Sequence, residues 1–260
     1  MIRKLTPRVL EKVWGSALTQ PWFDNPAGNK IGEIWFSVPE ELPVLVKLLF
    51  TSERLSVQVH PGDTYAGTHH NCTGKTEMWH ILRAEPGAAV ALGVREPTSQ
   101  ERLYAAALSG EIVDMLEWIP ARAGDTFFVP AGTIHAIGAG LVLCEIQQFS
   151  DVTYRLFDYH RKPERELHLG DSLAVSCLEP TPGHKVELPV QCEYFRTEAL
   201  SVRGTANIAE TSQTAMYVAV AGEGEIAGER FQPGFAWLAS AGTPPFEINS
   251  RQADFIIASA

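Results

Sequence analysis

Three short segments of the chain carry side chains able to hold a divalent cation. In Leu55-Ser56-Val57-Gln58-Val59-His60, alternation along a strand puts Ser56, Gln58 and His60 on one face and Val57 and Val59 on the other. Glu77 sits in the strand-like run from Gly74 to Leu82. His135 follows Pro130-Ala131-Gly132, a turn that sets where the next strand begins. A polar row opposite valines also describes the wet side of an edge strand, and a lone histidine is more often structural than a ligand. Two histidines and a glutamate, each at a strand start or turn, are less easily dismissed. Imidazoles with a carboxylate and a carboxamide oxygen make a borderline-hard donor set, suited to Zn²⁺ and open to Mn²⁺, Fe²⁺ or Co²⁺. The absence of thiolate, and room for water or substrate oxygens, point to a catalytic rather than a structural ion. Cys144 takes the strand face opposite Glu145 and stays outside the set. His69 and His70, in a Gly/Thr/Asn-rich stretch, are expected to face water, and His80 to fill a packing position. His160, His168 and His184 carry no spacing signal.

The elements that must position these groups read as β-structure. Short apolar runs bounded by turn residues recur at 43–50, 55–59, 77–82, 126–129, 141–147 and 215–221, as in an antiparallel sandwich or barrel. One helix is expected between Pro97 and Glu111, with Thr98 as cap, Glu101 completing a capping box and Gly110 as its stop. A shorter one is expected after Asp171. The sequence also repeats itself: Gly124, Pro130, Gly132 and His135 match Gly234, Ser240, Gly242 and Pro245 in spacing, and Thr76–Trp79 matches Thr214–Tyr217. Glu77 becomes Ala215 in the second copy and His135 becomes Pro245, so one copy keeps ligands and the other has lost them. The expected architecture is mostly β: two jelly-roll barrels in tandem, with a small helical insertion near 97–118 in the first. Residues 1–180 form the metal-holding domain and 185–260 a degenerate one, divided by a Pro/Gly-rich boundary.

Composition excludes several function classes. The chain has 260 residues, 45% of them hydrophobic, enough for a substantial core. Its net charge of −10 argues against nucleic acid or anionic membranes as partners. The four cysteines include no CxxC pair and are expected as reduced thiols in a cytoplasmic protein. The N-terminus lacks the apolar region of a signal peptide, and no apolar run is long enough to span a membrane.

The pattern Gly124-x5-Pro130-x-Gly132-x2-His135 resembles the second motif of the cupin superfamily, with Ala139 where that motif usually has Asn. Gln58-x-His60 stands in place of the first motif's His-x-His, and Glu77 comes seventeen residues after His60. SVQVHP, GKTEMW, VPAGTIHAIG and EIQQFSDVTYRLFD together resemble the type I mannose-6-phosphate isomerase family in its short bacterial form. WGSAL (14–18) and GEIW (32–35) resemble its N-terminal segments, although Ser16 departs from the usual Gly. The resemblance covers residues 5–180 well and the C-terminal copy loosely. It implies a zinc enzyme interconverting mannose 6-phosphate and fructose 6-phosphate, with Gln58, His60, Glu77 and His135 at the ligand positions. It further implies Arg155 as the active-site arginine, and Ser56, Lys75 and Glu145 lining the substrate pocket. Such a reaction moves a proton between C1 and C2 through a cis-enediol(ate), so it needs a cation or hydrogen-bond donors at oxygen, and a base. Lys75 and Glu145 are candidates for that base, and a zinc-bound hydroxide is a third. Lys75 and Arg161 are candidate partners for the phosphate. Two other classes compete: a non-catalytic sugar-binding or sensing cupin, and a metal-dependent cupin oxygenase or hydrolase acting on another small molecule. Oligomeric state has no signature in the sequence.

Overall fold

The structure is a computed structural model that describes residues 1–260, with 46% of them in strands and 11% in helices. Its contacts form two units, each discontinuous in sequence. One comprises residues 1–50, 144–146 and 187–260, and the other comprises 51–143 and 147–186. The chain opens with strands β1 (Ile2–Lys4), β2 (Arg8–Ser16), β3 (Ile31–Val38) and β4 (Leu42–Thr51). Then follow β5 (Val57–Val59), α1 (Asp63–His70), β6 (Glu77–Ala84), β7 (Ala89–Val94), α2 (Gln100–Ser109), α3 (Ile112–Met115) and β8 (Leu116–Pro120). β9 (Thr126–Val129), β10 (His135–Ile137), β11 (Leu141–Gln148), β12 (Tyr154–Phe157), α4 (Leu169–Val175) and β13 (Lys185–Val186) come next. The C-terminal segment holds β14 (Val190–Gln191), β15 (Arg196–Ile208), β16 (Ala215–Gly222), β17 (Gly224–Ile226), β18 (Glu229–Phe231), β19 (Ala236–Ala239) and β20 (Phe246–Ser259).

By sequence, residues 1–50 were expected with the metal-holding segment; by contact they group with the C-terminal one. The reason is strand pairing: β1 lies antiparallel to β19, Ile2 opposite Ala239 and Lys4 opposite Trp237. The Trp22 indole N–H also donates to the Val220 carbonyl at 2.8 Å. An aromatic core of Phe231, Trp237, Phe246 and Phe255 fills this unit.

In the other unit, β12, β5, β10, β7 and β8 form a five-stranded antiparallel sheet in that order. Strand alternation sorts its side chains. Val57, Val59, Ala136, Tyr154 and Leu156 pack on one face with Leu103, Ala106, Ala107 and Ile112 of the helical insertion. The apolar face is therefore the one under the helices, and Gln58, His135 and Arg155 share the other. The helices explain why the polar row is not the wet side of an edge strand.

Helix α2 starts one residue later than expected. Ser99, not Thr98, is its cap and accepts from the Arg102 N–H at 3.2 Å. The Thr98 N–H is held by the Leu178 carbonyl at 2.9 Å, which keeps Thr98 in the preceding loop. Glu101 then falls too early for a capping box. Its carboxyl is instead held below the usual range by its own backbone N–H and by Ser99. Gly110 ends the helix in the left-handed region at φ 89°, where its N–H reaches the Ala106 carbonyl. Helix α4 contains Asp171 rather than following it. Helix α1 was not expected: Ala66 is its one buried side chain, so it has no apolar stripe to read. Leu103 is fully buried between α2 and the sheet. Leu103→Ala is expected to destabilise the protein by about 2–5 kcal/mol, visible as a lower midpoint in urea unfolding with an unchanged slope.

The internal repeat extends to individual hydrogen bonds. Ala131 N–H donates to Thr76 Oγ1 at 3.2 Å, and Ala241 N–H to Thr214 Oγ1 at 3.2 Å. Glu77 pairs across strands with Val129, and Ala215 with Ala239. Gly124 and Gly234 take φ 91° and 85°, and Gly132 and Gly242 take 86° and 74°. The same turns recur in both copies, but only the first carries Glu77 and His135, where the second has Ala215 and Pro245.

Candidate metal centre and active site

The segments bearing His60, Glu77 and His135 are tied together through backbone. Gly132 N–H donates to the His60 carbonyl at 2.8 Å, and Lys75 N–H to the Pro61 carbonyl at 3.0 Å. Ala131 N–H reaches Thr76 beside Glu77. The turn at Gly132 needs a positive φ, and a Cβ there would stand 3.0 Å from the Val175 carbonyl oxygen. The Pro-x-Gly signal thus sets the entry to β10 and, through it, the position of His135.

All three side chains are buried, at 1%, 1% and 0% exposure. One ligand atom from each lies within 4.8 Å of the other two. Nε2 of His60 and Nε2 of His135 each stand 3.5 Å from a Glu77 carboxylate oxygen. The Nδ1 atoms face carbonyls: His60 Nδ1 is 3.0 Å from Val152 O, and His135 Nδ1 is 2.8 Å from Thr133 O. A carbonyl only accepts, so each Nδ1 carries the hydrogen and each Nε2 presents its lone pair. The Lys75 ammonium confirms that tautomer for His60 by donating to its Nε2 at 2.8 Å. Lys75 Nζ is also 3.1 Å from Glu77 Oε2. Trp79 packs edge-on against the His135 ring at 5.5 Å between centroids and stiffens it from the side. Two oriented imidazole lone pairs and a carboxylate, converging in a buried site, fit a divalent metal ion.

The remaining sequence candidates distribute unevenly. Gln58 lies directly opposite both His135 and Arg155 in cross-strand register, so the three form one row. Ser56 is buried at the same parity, ahead of β5. Arg155 Nη1 donates to the Glu166 carbonyl at 2.7 Å, and its backbone N–H to His168 Nδ1 at 3.1 Å. Its Nε is buried with no hydrogen-bond partner. Burial, and then neighbouring Arg165, press its pKa below the usual arginine value. Glu145 belongs to the other unit and ion-pairs with Lys47 at 2.8 Å, both nearly buried. Arg161 is committed to structure: it binds Asp158 at 2.8 Å, donates to the Arg54 carbonyl and faces Glu53 at 3.5 Å.

The other histidines lie outside this group. His69 and His70 are exposed, as expected, and His70, at the end of α1, also bonds the Tyr154 hydroxyl. His69 stacks on Tyr65 at 3.9 Å. His80 bonds Thr126 Oγ1 at 2.9 Å, and burial lowers its pKa. Sequence reading assigned no role to Lys47, or to Gln148 within EIQQFSD; their buried partners identify them.

No protein-family model matches the chain. It is 36% identical over 211 residues to the mannose-6-phosphate isomerase ManA of Bacillus subtilis (strain 168), covering 75% of this chain and 67% of that protein. It is also 36% identical over 198 residues to the mannose-6-phosphate isomerase of Streptococcus mutans, covering 71% and 62%. The second match thus spans less than two thirds of its relative. Among solved structures, the mannose 6-phosphate isomerase from Bacillus subtilis superposes with a TM-score of 0.88 at 27% identity, covering 99% of each chain. The sequence match takes in most of this chain and the fold match nearly all of it, and on those grounds the chain belongs to the mannose-6-phosphate isomerase family.

Proposed function

We propose that the protein is a zinc-dependent aldose–ketose isomerase that interconverts mannose 6-phosphate and fructose 6-phosphate. The observation that carries this reading is the buried His60–Glu77–His135 group with the Lys75 ammonium against it. The donor set, without thiolate, suits zinc among the divalent ions, and Gln58 from the same face is the proposed fourth ligand. When bound, the ion would act as a Lewis acid toward negative charge developing on a substrate oxygen.

This chain's own residues supply the rest. Lys75 faces the substrate and is the proposed proton carrier between C1 and C2: its neutral amine would accept the proton from one carbon and the ammonium so formed would return it to the other. Arg155, its Nε unsatisfied within a half-buried guanidinium, donates to the enediolate oxygen or the phosphate. Ser56 lines the pocket beside Gln58. The division of labour follows the repeat: the copy with the ligand-type residues binds the sugar phosphate, and the C-terminal copy, grouped with residues 1–50, is a degenerate one without them. A cytoplasmic location belongs to the same reading, supported by the four cysteines without disulfides; no helix is long and apolar enough to cross a membrane.

The test is a coupled assay for fructose 6-phosphate made from mannose 6-phosphate by the zinc-loaded protein. Turnover is expected to fall to background after chelation and to return when zinc is restored. Turnover that survives complete metal removal would overturn the reading.

A further inference from the structure

We propose that Asp63 and Gln148 are positioning residues that hold Lys75 against the metal-ligand group. Gln148 is 5% exposed, and its amide bridges two segments. Its Oε1 accepts from the Thr76 N–H at 2.8 Å, and its Nε2 donates to Asp63 Oδ1 at 2.9 Å. The same Asp63 oxygen accepts from the Gly74 N–H at 2.6 Å. The residues on either side of Lys75 are therefore pinned, Gly74 by Asp63 and Thr76 by Gln148. A second bond runs from the Gln148 N–H to the Thr76 carbonyl at 3.1 Å. Lys75 itself is held through its N–H on Pro61, the residue after His60.

Gly74 makes this contact possible. A Cβ there would lie 2.6 Å from Asp63 N, 2.7 Å from Gly62 C and 2.8 Å from Pro61 O. Those are backbone atoms that cannot swing aside, so the two segments touch only because residue 74 lacks a side chain. The consequence falls on Lys75. Its four-carbon stem is flexible, and a flexible ammonium reaches one point reproducibly only if its backbone is fixed and its side chain buried. Lys75 is 5% exposed, with Nζ at 2.8 Å from His60 Nε2 and 3.1 Å from Glu77 Oε2. Neither Asp63 nor Gln148 touches those ligand atoms; each acts through residues 74–76.

This inference rests on Lys75 facing the substrate in the proposed isomerase. Its test is a double-mutant cycle read in two ways: kcat/KM with mannose 6-phosphate, and zinc affinity by competition with a chromophoric chelator. Gln148→Met keeps the volume and removes both amide bonds. It is expected to lower kcat/KM about 10- to 100-fold, mostly in kcat, as a small misplacement of a reacting group does. It is also expected to tighten zinc several-fold, because the ammonium is no longer held against the ligands. In a Lys75→Met background neither change should recur. Asp63→Ala, at the other anchor, should give the same pattern, and it decides the matter if Gln148→Met does not fold. A merely structural role would instead lower stability and activity equally in both backgrounds, and that result overturns the proposal. So does unchanged zinc affinity in the single variants. If the wild-type protein shows no isomerisation, the isomerase reading fails on that count, and the zinc titrations alone still decide whether Gln148 and Asp63 act through Lys75.

Discussion

His135→Ala is expected to abolish zinc retention and isomerisation together. His135 presents Nε2 3.5 Å from the Glu77 carboxylate, with its Nδ1–H fixed on Thr133 O and its ring braced by Trp79. Removing it leaves one imidazole and one carboxylate from the clustered donors. The loss should exceed the roughly 10–100-fold that follows removal of a mere outer partner of a ligand. The checks are metal content by mass spectrometry after dialysis, and turnover in the coupled assay. Circular dichroism shows whether the variant remains folded, as expected, since the bonds tying Gly132 N–H to the His60 carbonyl and Ala131 N–H to the Thr76 hydroxyl do not involve the imidazole. Full zinc occupancy in a folded His135→Ala protein would remove His135 from the ligand set.

Arg155→Ala is expected to separate chemistry from metal binding. Arg155 shares its strand face with Gln58 and His135, but its guanidinium is anchored on the Glu166 carbonyl and not on the metal-ligand group. Zinc content should therefore match the wild-type protein while kcat falls about 10²–10³-fold, the scale of losing one donor to a developing oxyanion. Arg155→Lys should recover little. A single ammonium on a flexible stem cannot both take up the anchor on Glu166 and offer a second donor to the substrate. Turnover at the wild-type level in Arg155→Ala would exclude Arg155 from the mechanism.

Much of the site was legible because its signals are local. The two-residue period of LSVQVH already separated Gln58 and His60 from the valines, and the valines do pack beneath the helical insertion. The Pro-x-Gly turn before His135 is recognisable from residue types alone, and its repeat at Ser240-Ala241-Gly242 reproduces its geometry. The helix at 100–109 was legible from its stop at Gly110. Its start was not, because the choice between Thr98 and Ser99 as cap depends on a carbonyl from Leu178, far along the chain. Helix α1 gave no signal, since a helix lying on the surface with one buried residue has no apolar period. Glu145 and Arg161 were read as free for a substrate, but each is already paired with groups that no local pattern reveals.

By itself, then, the sequence determined which side chains are of ligand type, which strand face each takes and which turns introduce them. Those properties follow from alternation, backbone sterics and residue chemistry over a few neighbouring positions. The tertiary structure alone decided that ligand atoms from positions 60, 77 and 135 come within 4.8 Å of one another. It also decided that Val152 and Thr133 aim the two imidazoles, that Lys47 neutralises Glu145 from 98 residues away, and that Gln148 and Asp63 pin the lysine. Apart from the Thr133–His135 contact, which lies within one turn, each of these joins segments distant in the chain, and its distance is set by how the sheets pack rather than by any spacing along the sequence.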